Sequence, residues 1–281
     1  MNDTTAERNV LENHGDITIE MIEVGKTTLR VATKPGDPGR VPLLMFNGIG
    51  ANLELAFPFL QAMRGTPAIL FDIPGVGGSP MPRLPYSPIT MARTTRRLLD
   101  VLGHDQVDVS GVSWGGGLAQ QFACQYRSRC RRLVLVATAA GWTMVPGKLG
   151  VLSKMGNIRR YTDRGYMREI AAEIYGGDFR TDPTLINQHA AAMRPSSNAG
   201  YFLQLLAMVG WTSAPFLWTL PQPTLIMSGT DDPLVPVANA RFLKRLIPHA
   251  ELQLVENGHL FAVTRPEETA QSVTDFLTKE I

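Results

Sequence analysis

A serine hydroxyl is a weak nucleophile until a base takes its proton and the backbone holds its oxygen clear of the chain. One stretch of this 281-residue sequence has the residues for that presentation: Gly111-Val112-Ser113-Trp114-Gly115, followed by Gly116 and Gly117. An apolar run at 107–110 precedes it and a helical pattern at 116–126 follows it. This is the strand–turn–helix setting in which a G-x-S-x-G turn lifts Oγ above a sheet edge, at a helix N-terminus. The pentapeptide alone is weak evidence in a glycine-rich chain, so its setting and its partners carry the reading. The chemistry it offers is acyl transfer through a covalent serine ester.

Such a serine needs a base, and the chain has His14, His104, His189, His249 and His259. His14 lies in a polar N-terminal stretch and His189 in a helical region without strands. His104 and His249 precede strands, which puts them at the edge of a parallel sheet opposite the serine. His259 alone follows the last apolar run and precedes the last helical pattern, so it stands at the serine's edge. The base in turn needs a carboxylate to hold its tautomer and stabilise the imidazolium. Asp231 and Asp232, in Ser228-Gly229-Thr230-Asp231-Asp232-Pro233, both follow the penultimate run, and spacing alone leaves the two open.

These residues require a frame that brings strand ends together. Alternating patterns at 17–24 and 27–33, split by Gly25-Lys26, predict an N-terminal hairpin. Short apolar runs then recur at 43–46, 68–71, 107–110, 133–137, 224–227 and 251–255. Amphipathic stretches at 53–63, 89–102, 116–126, 237–246 and 267–279 separate them. Continuous apolar strands joined by helices predict an α/β fold with a mostly parallel sheet covered on both faces and a site at the C-terminal strand ends. Residues 141–220 have helical periodicity, many bulky apolar side chains and no convincing strand. They are expected to form a helical cap inserted into a core made of 1–140 and 221–281.

Composition narrows the classes further. With 44% hydrophobic residues, 19% charged residues and a formal charge of +2, the chain has no basic stripe for nucleic acid and no apolar run long enough to span a bilayer. The polar start lacks the pattern of a secretory signal, so a cytoplasmic location is expected. Cys124 and Cys130 read as ordinary thiols. Gly75-Val76-Gly77-Gly78-Ser79 lacks the lysine and the spacing of a phosphate loop, and no His, Cys and carboxylate cluster has zinc spacing. Neither metal nor cofactor is expected. Oligomeric state is not legible.

These features together resemble the α/β-hydrolases, in which the chain order is Ser, Asp, His. Members commonly show G-x-x-D-x-(hydrophobic)-V/I-P, which Gly229, Asp232, Val235 and Pro236 fit, and this selects Asp232 and leaves Asp231 as a loop or capping residue. Asn47-Gly48-Ile49-Gly50 stands where relatives have H-G-x-x. The resemblance therefore implies an oxyanion hole made by the backbone N–H groups of Ile49 and Trp114, with Asn47 in place of the usual histidine. Asp72-Ile73-Pro74-Gly75-Val76-Gly77-Gly78-Ser79 resembles the D-x-P-G-x-G-x-S turn of the same fold.

Phe46-Asn47-Gly48-Ile49-Gly50-Ala51-Asn52-Leu53-Glu54, the Asp72–Ser79 segment and Gly111–Gly116 are similar to the intracellular depolymerases of medium-chain-length poly(3-hydroxyalkanoate). Ala137–Gly141, Val145–Lys148, Ile174–Gly177, Gly210–Ser213, Asp231–Leu234 and Gly258–Phe261 continue the likeness through the insertion. The resemblance implies attack by Ser113 on a polyester carbonyl and hydrolysis of a 3-hydroxyacyl-enzyme through His259. It also implies an apolar cap able to meet a polymer granule, with Asn47, Trp142, Met144, Phe202, Trp211 and Leu260 as expected substrate contacts. A carboxylesterase for smaller acyl esters and a non-catalytic binding protein of this fold are the alternatives. The intact set of Ser113, Asp232 and His259 argues against the second.

Overall fold

The structure, a computed structural model, describes residues 8–157, 159–194 and 197–280. Its strands are β1 (Arg8–His14), β2 (Ile17–Val24), β3 (Thr27–Lys34), β4 (Leu43–Phe46), β5 (Ala68–Phe71), β6 (Val107–Val112), β7 (Cys130–Val136), β8 (Thr224–Gly229) and β9 (Ala250–Val255). They form one sheet in the order β1-β2-β3-β5-β4-β6-β7-β8-β9. The pairs β1–β2, β2–β3 and β3–β5 are antiparallel and the remaining pairs are parallel. Every residue of β4, β5 and β6 is buried, because helices cover both faces. That is why these strands read as unbroken apolar runs.

The helices are α1 (Phe57–Ala62), α2 (Pro88–Leu102), α3 (Trp114–Gln125), α4 (Leu149–Gly156), α5 (Arg159–Thr162), α6 (Arg164–Tyr175), α7 (Pro183–Ala192), α8 (Asn198–Ala207), α9 (Val237–Leu246), α10 (Phe261–Thr264) and α11 (Pro266–Thr278). Sequence signals set several of their ends. For α2, Ser87 and Thr90 form a reciprocal capping box, Pro88 enters at the first turn, and Gly103 closes the helix at φ 77°, the left-handed conformation that glycine adopts without strain. One core face gathers Phe46, Leu98, Phe122, Leu133 and Leu243. The other gathers Leu43, Phe59, Leu60, Val134 and Phe276. Full burial of such a side chain contributes roughly 1.5–3 kcal/mol.

Between β7 and β8 the described chain is helical, and its apolar centre includes Val151, Met167, Ile170, Ile174 and Tyr201. That cluster also takes in Leu234 and Val235, from the loop after β8. The segment's two ends meet where Gly141 and Thr212 form an antiparallel bridge and Trp142 N–H donates to Trp211 O at 2.8 Å.

The fold corrects two sequence expectations. The polar stretch before Gly15 contains β1, an edge strand held by backbone pairing to β2; residues 1–7 lie outside the described residues. The helix expected over 53–63 divides into a 3₁₀ turn at Leu53–Ala56 and α1. Pro58 has no N–H to donate back to Glu54 O, and Phe57 N–H takes that acceptor in a tighter turn.

Candidate active site

Ser113 stands between β6 and α3 with φ 53° and ψ −118°, a region in which a non-glycine residue stores on the order of 1–3 kcal/mol of strain. Its surroundings hold it there. Ser113 N–H donates to Val136 O at 2.9 Å, and its carbonyl oxygen accepts from Gly116 N–H at 2.9 Å and from the Thr138 hydroxyl at 2.6 Å. The two glycines of the pentapeptide have steric reasons. A Cβ on Gly111 would lie 2.4 Å from Gly115 O, and one on Gly115 would lie 2.3 Å from Phe46 O. Only bare backbone lets α3 start this close to the end of β4.

His259 follows β9 and Asp232 follows β8, so both reach the same sheet edge as the serine. His259 Nδ1 and Asp232 Oδ2 are 2.7 Å apart, and both side chains are buried. Asp232 Oδ1 accepts from the N–H groups of Leu234 and Val235, each at 2.9 Å. The carboxylate is thereby fixed by its own loop and presents one oxygen to the ring. Asp231 turns the other way. It is half-exposed, accepts from Gly177 N–H at 2.8 Å and pairs with Arg180 at 3.0 Å, tying the insertion to the core. His259 N–H donates to Tyr175 O at 2.7 Å, so the end of α6 also sets the imidazole loop.

The Asn47–Gly50 turn after β4 lies against the serine: a Cβ on Gly48 would sit 3.7 Å from Ser113 Cβ. Asn47 Nδ2 donates to Asn52 O at 3.0 Å, which closes the turn on itself. Gln204, buried on α8, was not singled out by the sequence, yet it links both sides of the site. Its Oε1 accepts from Gly50 N–H at 2.7 Å and its carbonyl oxygen accepts from the Trp114 indole at 2.9 Å.

Two chambers meet at Ser113. The smaller, about 70 Å³, is lined by Asn47, Ser113, Tyr175, His259, Leu260 and Val263, among others. The larger and more open one, about 610 Å³, is lined by Trp114, Trp142, Met144, Leu205, Met208 and Trp211, among others. Ile49, Ser113 and Met155 belong to both. Among the described residues no group of histidine, cysteine and carboxylate side chains is arranged to hold a metal.

Residues 41–266 match the family model for the alpha/beta hydrolase fold. Over 260 residues, 92% of each chain, the sequence is 51% identical to the poly(3-hydroxyalkanoate) depolymerase of Ectopseudomonas oleovorans. The chain belongs to the poly(3-hydroxyalkanoate) depolymerase family of α/β-hydrolases. More distant relatives include the 2-hydroxymuconate semialdehyde hydrolase of Pseudomonas sp. strain CF600, 28% identical over 96% of this chain and 97% of that one. The enol-lactonase from Burkholderia xenovorans LB400 has the same fold, with a TM-score of 0.79 at 22% identity over 91% of this chain and 98% of that one.

Of the substrate contacts expected in this depolymerase-family chain, Asn47 and Leu260 line the smaller chamber, and Trp142, Met144 and Trp211 line the larger. Phe202 is not among the lining residues of either; it is 63% exposed on α8. Trp211 is anchored as well as lining, since its indole donates to Gln121 Oε1 at 2.9 Å. Arg160, Tyr175 and His189 also line the smaller chamber with Ser113; the sequence set His189 aside as the base and assigned no role to Arg160 or Tyr175. No motif marks them. They come from separate helices of the insertion, and Arg160 stands among Arg159, Asp163 and Arg164, so nothing in its local sequence separates it from surface charges.

Proposed function

We propose that the chain is a serine esterase that cleaves medium-chain-length poly(3-hydroxyalkanoate), with Ser113 as nucleophile, His259 as general base and acid, and Asp232 as the carboxylate behind it. The observation that carries this reading is the buried Asp232–His259 bond of 2.7 Å in a chamber that His259 shares with Ser113. His259 takes the hydroxyl proton as Oγ attacks the ester carbonyl, and the N–H groups of Ile49 and Trp114 receive the developing oxyanion. Collapse of the tetrahedral intermediate breaks the C–O bond, and His259 returns its proton to the departing 3-oxygen. Water, deprotonated by His259, then hydrolyses the 3-hydroxyacyl-enzyme. The apolar walls of both chambers suit alkyl side chains longer than a methyl group.

Residues 141–220 act in this reading as a cap that meets the polymer. Trp142 and Val209 line the larger chamber and are 72% and 64% exposed, which makes its mouth apolar. On α8, Phe202, Leu205 and Leu206 are exposed at helical spacing, a stripe suited to a hydrophobic granule surface. Among the described residues no helix is long and apolar enough to cross a membrane, and the proposed location is at granules inside the cell. Replacing Phe202 and Leu206 by serine is expected to reduce the fraction of enzyme that sediments with granules while turnover of p-nitrophenyl octanoate persists; an unchanged bound fraction removes the granule contact.

The activity itself is tested on purified protein supplied with medium-chain and short-chain polymer and with p-nitrophenyl esters of graded length. Release of 3-hydroxy acids from medium-chain polymer is expected. Turnover of the small esters alone would make the chain a carboxylesterase, and failure of a serine-directed phosphonate to label it would make it a binding protein.

A further inference from the structure

Gln204 is 0% exposed, on the buried face of α8. Its Oε1 accepts from Gly50 N–H at 2.7 Å, and its carbonyl oxygen accepts from the Trp114 indole at 2.9 Å. One residue of the insertion is thus bonded beside each of the two N–H groups assigned to the oxyanion, those of Ile49 and Trp114. The helix that carries it is pressed onto the core at both ends. At its start the Ser197 hydroxyl donates to Gly75 O at 3.1 Å, and a Cβ on Gly200 would lie 1.8 Å from the same oxygen. Just past its end, Met208 packs so closely on α3 that a Cβ on Gly117 would lie 2.9 Å from Met208 Cε.

Gly48 to Ala51 form a turn closed by Ala51 N–H to Gly48 O at 3.2 Å, with Gly50 at φ 69°, the type II arrangement. Its middle peptide joins Ile49 to Gly50. With glycine in third place, turning two dihedrals flips that peptide to the type I form at little steric cost. The bond from Gly50 N–H to Gln204 holds the peptide, and with it the Ile49 backbone, in one state. Oxyanion donors act by being fixed before the charge forms, and misplacement by about 1 Å can cost about a hundredfold in rate. Stability accounts poorly for a glutamine here. It pairs Gly50 N–H, but its own Nε2 is buried with no hydrogen-bond partner among the described residues, so what the amide gains at one atom is offset at the other.

We propose that Gln204 is a positioning residue of the oxyanion hole: its side chain fixes the Asn47–Gly50 turn, its backbone fixes the Trp114 ring, and the seat of α8 thereby completes the site. The inference rests on the serine-esterase reading above, with Ile49 and Trp114 as the oxyanion donors. Gln204 is not among the lining residues of either chamber, so it acts on the transition state through the turn and not by meeting substrate. The opposite face of α8 carries the exposed Phe202, Leu205 and Leu206. The helix that meets the granule on one side therefore holds the oxyanion donors on the other.

The test compares Gln204→Met, which fills the same space without an acceptor, with Gln204→Glu, which keeps an accepting oxygen there. On p-nitrophenyl octanoate the Met variant is expected to lose about 10- to 100-fold in kcat with KM within about twofold, and the Glu variant to stay within about threefold of the unmodified enzyme. The second readout is a pair of ketones. The carbonyl carbon of 1,1,1-trifluorodecan-2-one is attacked by Ser113 Oγ while His259 takes the proton, leaving a stable oxyanion; decan-2-one binds without this addition. The ratio of their inhibition constants is expected to shrink in Gln204→Met by the same factor as kcat and to persist in Gln204→Glu. Both constants come from one preparation, so the ratio is independent of how much of a variant is folded. Gln204→Asn, one methylene shorter and out of reach of Gly50, is expected to behave as the Met variant and serves if that one does not accumulate. Unchanged kcat in Gln204→Met, or a loss of kcat with the ketone ratio intact, overturns the positioning role and leaves the serine-esterase reading standing. Equal binding of both ketones by the unmodified enzyme, with no turnover of the ester, overturns both.

Discussion

Ser113→Ala and His259→Ala are each expected to lower kcat/KM on p-nitrophenyl octanoate and on polymer by about 10⁴- to 10⁶-fold, with the double variant scarcely worse than either alone. In the proposed mechanism the serine's oxygen is the atom that becomes covalently linked to the acyl group, and without the imidazole nothing moves its proton. Removing either leaves only substrate binding and oxyanion stabilisation, which is why the losses do not add. The backbone should tolerate the serine change, because alanine keeps the Cβ and the strained φ of 53°. It also keeps the backbone bonds to Val136 and Gly116. Circular dichroism and the midpoint of thermal unfolding should therefore stay close to those of the unmodified protein. Single-turnover kinetics with the ester read the chemistry directly. A Ser113→Ala protein that retains a tenth of the activity would place the nucleophile elsewhere.

Asp232→Asn is expected to cost about 10³- to 10⁴-fold in kcat, and Asp231→Asn only a few-fold. The difference follows from where the two carboxylates point. In Asp232→Asn, Oδ1 can still accept from Leu234 and Val235, whose bonds are 2.9 Å in the acid, so the loop should survive. The amide NH₂ would then face His259 Nδ1, now 2.7 Å from a carboxylate oxygen. The ring would be turned to the tautomer whose Nε2 bears hydrogen and cannot accept the serine proton. Asp231 instead supports Gly177 and Arg180, and its loss should loosen the seat of the insertion and lower thermal stability more than turnover. Measuring kcat and the unfolding midpoint of both variants separates these roles, and a large kcat loss confined to Asp231→Asn would reverse the assignment.

The histidine loop shows how local sequence and tertiary packing divide the work. Its place between β9 and α10 was legible because a parallel sheet collects its strand-to-helix loops on one edge, and apolar runs with turn residues reveal those loops. Its seating was not. His259 N–H donates to Tyr175 O, and Asn257, two residues earlier, donates from Nδ2 to Asp178, which also holds Arg265 through paired hydrogen bonds. These partners lie some eighty residues away along the chain, with no periodicity connecting them. The edge strand β1 was hidden for a different reason. Val10 and Leu11 are about half-exposed, so the strand is held by backbone bonds that leave little side-chain signature.

From the order of residues alone came the mostly parallel α/β sheet, the serine turn with its necessary glycines, the histidine before the last helical stretch and the pair of adjacent aspartates. Each of these depends on interactions within a few residues or on a simple alternation of apolar runs. The choice between Asp231 and Asp232 could be suggested by motif, but it is the fold of the loop after β8 that turns one carboxylate inward and the other toward Arg180. The chambers, and the convergence of Arg160, Tyr175 and His189 on the serine, belong wholly to the tertiary structure. They are surfaces between helices whose relative placement is set by packing of the whole insertion on the sheet, and side chains that meet across such surfaces leave no pattern in the sequence of any one helix.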